Sequence, residues 1–103
     1  MTGNVVPFRG GLSRAAAERR IRELAADTAS LIFPWNVSTQ MAAAGISIRQ
    51  VIAALHFGAV VENPTRNEIG DWICVLRRKS GGMQVHVVIA LAEGRPMTLV
   101  EVR

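Results

Sequence analysis

The sequence has one cysteine, no tyrosine and only two histidines in 103 residues. A lone cysteine, Cys74, cannot close a disulfide within one chain. His56 and His86 lack the partners of a zinc motif. Cys74 lies in a strongly apolar stretch and reads as a small buried hydrophobe. No apolar run approaches the ~20 residues that span a bilayer. The first twelve residues also lack the hydrophobic segment of a secretory signal. The expectation is a cytoplasmic protein with no membrane partner, no metal and no cofactor. The composition of a disordered chain is missing too, since half of the residues are apolar and 19% are charged. The length gives room for one domain.

Acidic residues are in the minority. Twelve Lys and Arg against eight Asp and Glu leave a formal charge of +4. Both halves share the excess, so it is not one basic tail. Mild positive charge favours encounter with nucleic acid or an acidic partner and says nothing about fold.

Glycine and proline punctuate the chain. Residues 1–12, with Gly3, Pro7, Gly10 and Gly11, read as a tail, and residues 13–103 as the domain. Ser13 is a candidate N-cap for a first helix. Ala17, Ile21, Leu24, Thr28 and Leu31 recur on one side of it, and Pro34 ends it. Oppositely charged pairs four apart, Arg14 with Glu18, Glu18 with Arg22 and Arg19 with Glu23, suit a solvated face. Trp35 sits at the break, either as a plug for the helical layer or as a stacking platform for a base. A short helix runs from about Asn36 or Ser38 to Ala44, and Gly45 fits the left-handed position after it. Ser47 and Gln50 then form a capping box, flanked by Ile46 and Val51 as a hydrophobic staple. Ile48, Val51, Ile52 and Leu55 make the buried stripe of a third helix, which Gly58 stops. Arg49 and His56, seven apart, share a face of that helix where two polar side chains meet water without forming a site.

From residue 59 the period changes from helical to alternating. Strands are expected at 59–62, 71–80, 83–92 and 97–103, with residues 65–70 as a loop. Gly81-Gly82 reads as a two-residue hairpin turn and 93–96 as a four-residue turn. The fold class is α+β, with N-terminal helices followed by a four-stranded antiparallel sheet.

Turn length fixes register. A two-residue turn pairs Ser80 with Met83, Lys79 with Gln84, Arg77 with His86 and Val75 with Val88. Side chains alternate between faces. One face then carries Trp72, Cys74, Leu76, Val85, Val87, Ile89 and Leu91, the side for helices to cover. A four-residue second turn puts His86 opposite Arg103 and Val88 opposite Glu101. Arg77, His86 and Arg103 then form a row on the other face. An imidazole between two guanidiniums suits a bound phosphate. Neighbouring cations favour the neutral imidazole that takes a proton from a ribose hydroxyl.

The stretch Gln40-Met41-Ala42-Ala43-Ala44-Gly45-Ile46-Ser47, followed by Val51, Leu55, Gly58, Val60 and Glu62, resembles the domain of unknown function 4258 family. The strands 72–79, 83–91 and 97–102 are similar to that family's in length and order. The resemblance spans residues 36–102 and leaves out the first helix and the tail. It implies a small bacterial protein of a family that is related in shape to the RelE-like ribonuclease toxins and has some members encoded beside zinc-finger antitoxins. It further implies a messenger-RNA endonuclease that needs no metal and is neutralised by an antitoxin-like protein. The family's usual motif has a His near the start of the short helix and Arg at two later positions. Those positions hold Asn36, Gln40 and Ala44 here, and none ionises at neutral pH.

Two functions follow. In a toxin-like endoribonuclease, His86 is the base, Arg77 and Arg103 hold phosphate, and Lys79, Arg66 and Arg95 add RNA contacts. In an interaction or regulatory protein, the fold is kept and the site is lost. The last strand, with Leu99 and Val100, is expected at a sheet edge, where a second copy or an antitoxin-like segment adds a strand.

Overall fold

The computed structural model describes residues 11–27 and 31–103. The element order is α1 (Arg14–Ala25), β1 (Leu31–Ile32), α2 (Trp35–Ala44), α3 (Ile48–Phe57), β2 (Ala59–Val60), β3 (Thr65–Arg66), β4 (Trp72–Ser80), β5 (Met83–Leu91) and β6 (Met97–Val102). Helices first and a mostly antiparallel sheet after them make an α+β fold, as the change of period implies.

The caps are where the sequence puts them. Ser13 Oγ accepts the Ala16 N–H at 3.1 Å. At the start of α3, Gln50 N–H donates to Ser47 Oγ at 3.2 Å, and Ser47 N–H donates to Gln50 Oε1 at 2.8 Å. These two bonds satisfy donors that a helix start otherwise leaves open. Gly45 follows α2 at φ 69°, a left-handed conformation that a side chain disfavours.

Helix α1 is shorter than its spacing suggests. It ends at Ala25, and Leu31–Ile32 form a parallel strand against the start of β6, Leu31 facing Met97 and Ile32 facing Thr98. Pairing with the sheet overrides a local pattern in which Leu31 extends the helical stripe. Thr28 and residues 1–10 of the expected tail lie outside the described residues. Leu12, read as part of that tail, is buried in the core.

The sheet has six strands rather than four, in the order β1-β6-β5-β4-β2, with β3 also on β4. The additions are two-residue strands, too short to show an alternating pattern. One of them, β3, lies inside the stretch read as a loop and pairs Thr65 with Ile73 and Arg66 with Trp72.

The β4–β5 ladder keeps the expected register at every pair from Ser80–Met83 to Trp72–Leu91. Gly81 and Gly82, at φ 58° and 82°, supply the two positive φ values of a tight hairpin. The β5–β6 ladder departs from expectation near its turn. There Ala90 faces Thr98 and Ile89 faces Leu99, one residue out of step. A bulge between Val88 and Ile89 then leaves Val100 unopposed and restores Val88 opposite Glu101 and Val87 opposite Val102. Leu99 and Val102, three apart, both point inward as a result; each is at most 2% exposed.

The helices cover the face that carries Trp72, Cys74, Leu76, Val85, Val87, Ile89 and Leu91. All seven are buried together with Ile21 of α1, Val37 and Met41 of α2, and Val51 and Leu55 of α3. Each large apolar side chain here stabilises the fold by roughly 1.5–3 kcal/mol.

Further contacts correct the sequence reading. Glu18 and Arg22 do not merely decorate a solvated face. Glu18 Oε2 accepts the Val60 N–H at 2.9 Å, and Arg22 Nη2 donates to the Gly58 carbonyl at 2.9 Å, tying α1 to the α3–β2 connection. Arg20, not Arg19, meets Glu23, at 3.2 Å. Nor is β6 a bare edge. Strand β1 occupies its beginning, and Gln40 Oε1 from α2 accepts the Val102 N–H at 2.9 Å near its end. Trp35 is no plug either, being the first residue of α2 and 82% exposed.

Candidate functional site: a cationic row on the sheet face opposite the helices

The face turned away from the helices holds Ile73, Val75, Arg77 and Lys79 from β4 and Gln84, His86, Val88 and Ala90 from β5. Arg77 stands opposite His86 in the ladder. On the other flank, His86 N–H donates to the Arg103 carbonyl at 2.7 Å and Arg103 N–H donates to the His86 carbonyl at 2.9 Å. Arg77, His86 and Arg103 are therefore consecutive across three strands. At the usual strand spacing the row spans about 10 Å. Lys79 lies two residues beyond Arg77 on the same face.

The row depends on the bulge. Without the extra residue in β6, the out-of-step pairing near the turn would place Val102 opposite His86 and send Arg103 to the helix-covered side.

The charges in the row are unequal in their freedom. Arg103 Nε is 3.0 Å from Glu101 Oε2, two residues back on the same face. Both groups are about half exposed, so the pair stabilises by only about 0.2–1 kcal/mol and yields readily to a stronger anion. The side chains of Arg77, Lys79 and His86 make no hydrogen bond or ion pair among the described residues. The sequence reading paired Glu101 with Val88 but left it out of the row. Its spacing of two from Arg103 in a strand was the available signal.

Arg66 and Arg95 lie elsewhere. The Arg66 guanidinium sits 4.7 Å above the Trp72 ring, and Arg95 Nη2 is 3.7 Å from Asp71 Oδ1. Both line a cleft of about 250 Å³ with Ile69 and Glu93. This cleft lies at the opposite end of β4, five residues or roughly 17 Å from Arg77. The structure brings these two arginines to each other and not to the row.

A feature absent from the sequence reading lies on the helix side of the sheet, against Arg78. Phe57, the last residue of α3, is 71% exposed. The Arg78 guanidinium lies 5.3 Å from its ring centroid, and the His56 ring is 5.9 Å away at 43°.

Cys74 offers no nucleophile. Burial pushes its thiol up from 9.0 to about 12, because a thiolate there would lose its hydration. Among the described residues no group of three or more His, Cys, Asp or Glu gathers to hold a metal ion. No described helix is long and apolar enough to cross a membrane.

Asn36, Gln40 and Ala44 follow at intervals of four and share one side of α2, the side from which Gln40 reaches β6. The family model for a domain of unknown function, DUF4258, matches residues 37–102, from α2 to the end of β6. The chain belongs to the DUF4258 family. No curated protein and no solved structure gives a significant match. The match leaves out α1, which in this DUF4258 chain is bound to the domain through Glu18 and Arg22.

Proposed function

We propose that the protein is a toxin-like RNA-binding protein in which the sheet face opposite the helices cleaves RNA without a metal ion. One observation carries this reading: Arg77, His86 and Arg103 stand side by side on the face opposite the described helices. The guanidiniums hold a phosphodiester by charge-assisted hydrogen bonds. The His86 imidazole takes the proton of the adjacent 2′-hydroxyl. The 2′-oxygen forms a bond to phosphorus, the 5′-oxygen leaves and takes a proton from water, and a 2′,3′-cyclic phosphate remains. The cations also stabilise the extra negative charge that develops on the phosphoryl oxygens. The α+β architecture agrees with the RelE-like shape that the family resemblance implies. An antitoxin-like protein covering this face is the corresponding partner.

A second reading rests on Gln40. Where the family pattern carries arginine, this chain has an amide that serves the fold by accepting the Val102 N–H. An interaction protein that keeps the fold and has lost a site on α2 is the result. The two separate on purified protein. The first expects single-stranded RNA to bind with a steep salt dependence that flattens in Arg77→Ala, since one fewer phosphate contact releases fewer counterions. The second expects no RNA binding.

A further inference from the structure

We propose that Glu101 is a positioning residue for His86: a phosphate bound at Arg103 releases the Glu101 carboxylate, which then accepts the His86 ring N–H and holds the imidazole for proton transfer. This rests on the RNA-cleaving reading above and names the residue that couples phosphate binding to the base. A histidine base works when a partner fixes which ring nitrogen is bare and which way the ring faces. The His86 side chain makes no hydrogen bond or ion pair among the described residues. The group that orients it has to move into place.

The ladders leave one candidate. Around His86 on its face stand three cations, Arg77 and Lys79 from β4 and Arg103 from β6, and one carboxylate, Glu101. The remaining ladder neighbours are two valines and a glutamine. Glu101 faces Val88, and His86 pairs with Arg103 through both backbone groups, so Glu101 lies diagonally across from His86 on the same side. Diagonal neighbours on an antiparallel pair are about 7–8 Å apart, within reach of long side chains. The bulge that sets the row sets this too, since it turns Glu101 and Arg103 together onto the face of His86.

Without RNA the carboxylate is held elsewhere. Glu101 Oε2 is 3.0 Å from Arg103 Nε, so Arg103 carries its own counter-ion where a phosphodiester would bind. A phosphate gripped by Arg77 and Arg103 together outcompetes one exposed carboxylate. Its negative charge also repels Glu101. Arg77 and Lys79 lie one strand further away, which leaves the His86 ring N–H as the donor across the ladder. Positive charge grows on His86 as the 2′-hydroxyl proton moves onto it. An ionised carboxylate stabilises that imidazolium without taking the proton itself. Glu101 therefore opposes binding while it sits on Arg103 and favours the chemistry once it sits beside His86.

The test is Glu101→Gln, which keeps the shape and removes the charge. Binding is read by fluorescence anisotropy on a labelled 2′-O-methyl oligonucleotide of about ten nucleotides, which cannot be cleaved. Cleavage is read in single turnover on the unmodified RNA at saturating protein. Glu101→Gln should bind about 1.5- to 5-fold more tightly, the worth of one exposed ion pair. It should cleave roughly 10- to 100-fold more slowly, a part of what a general base contributes. The tighter binding should vanish in an Arg103→Ala background, where no guanidinium is left to compete for. Circular dichroism checks that the variants are folded. If Glu101→Gln cleaves at the wild-type rate, the positioning role is overturned and the cationic row survives. If it binds more weakly, Glu101 serves to hold Arg103 for the phosphate, and the positioning role is again overturned. If wild type neither binds nor cleaves RNA, the reading beneath this one falls and takes the positioning role with it.

Discussion

Replacing Gly58 with alanine sets two opposed effects against each other, and the structure says which wins. Gly58 has φ −74°, an ordinary value that alanine adopts without strain. On backbone grounds alone the change restricts the unfolded chain and stabilises by about 0.4–1 kcal/mol. The added methyl, however, would stand 2.5 Å from the Ala54 carbonyl oxygen and 3.1 Å from that of Arg77. Neither oxygen sits on a flexible side chain. Ala54 O accepts the Gly58 N–H at 2.8 Å, and the Arg77 backbone belongs to the β4 ladder. Relief requires opening the end of α3 or lifting β2 from β4, an overpacking cost of about 1–3 kcal/mol. Either movement also disturbs the bond from Arg22 to the Gly58 carbonyl, a charge-assisted contact of about 1.5–3 kcal/mol. The net expectation is a loss of about 1–3 kcal/mol. At about 4–8 °C per kcal/mol for a domain near this size, the melting temperature should fall by roughly 5–20 °C. Urea and thermal unfolding followed by circular dichroism measure it. A midpoint equal to or above wild type would refute the close approach at Gly58.

Other perturbations test other joints. Ser47→Ala should lose about 0.5–2 kcal/mol by urea titration, since it removes one half of the capping box. Glu18→Ala strands the Val60 N–H and should cost about 1–3 kcal/mol, whereas Arg19→Ala, on an exposed position with no partner among the described residues, should change little. Cys74 should resist an aromatic disulfide reagent in the folded protein and react at once in denaturant. Its raised pKa also sets a sign. The unfolded thiol ionises near 9 and the folded one near 12, so the contribution of Cys74 is complete below pH 9 and is lost as pH climbs toward 12. Denaturant midpoints measured across that range should fall, and should fall less in Cys74→Ala.

Much of the fold could be read from residue order because its signals are local. The Ser47–Gln50 box, Gly45 after α2 and the Gly81-Gly82 turn each act within a few residues, and the turn alone fixed nine pairs of the β4–β5 ladder. What escaped was non-local. Strands β1 and β3 are two residues long and exist only because β6 and β4 present free edges to them. Helix α1 looked longer than it is because Leu31 falls on its apolar stripe. Glu18 and Arg22 looked like surface ion-pair partners because their second partners, Val60 and Gly58, lie 42 and 36 residues away in sequence.

The row itself was reached by a turn length that does not hold near the turn. The ladder beside 92–96 is one residue out of step, and the bulge at Val100 adds the residue that brings Arg103 back beside His86. No sequence pattern marks that bulge. The inward burial of Leu99 and Val102, three apart, is its structural signature. Phe57 was passed over for the opposite reason, since an aromatic at the end of an apolar helix reads as core until its exposure is known.

The most direct test of the central claim is an incubation of purified protein with single-stranded RNA in the presence of a metal chelator, with the ends of the products identified. The account predicts cleavage that leaves 2′,3′-cyclic phosphate and 5′-hydroxyl ends, lost in a folded His86→Ala variant. Intact RNA with wild-type protein, or cleavage that persists undiminished in His86→Ala, would contradict it.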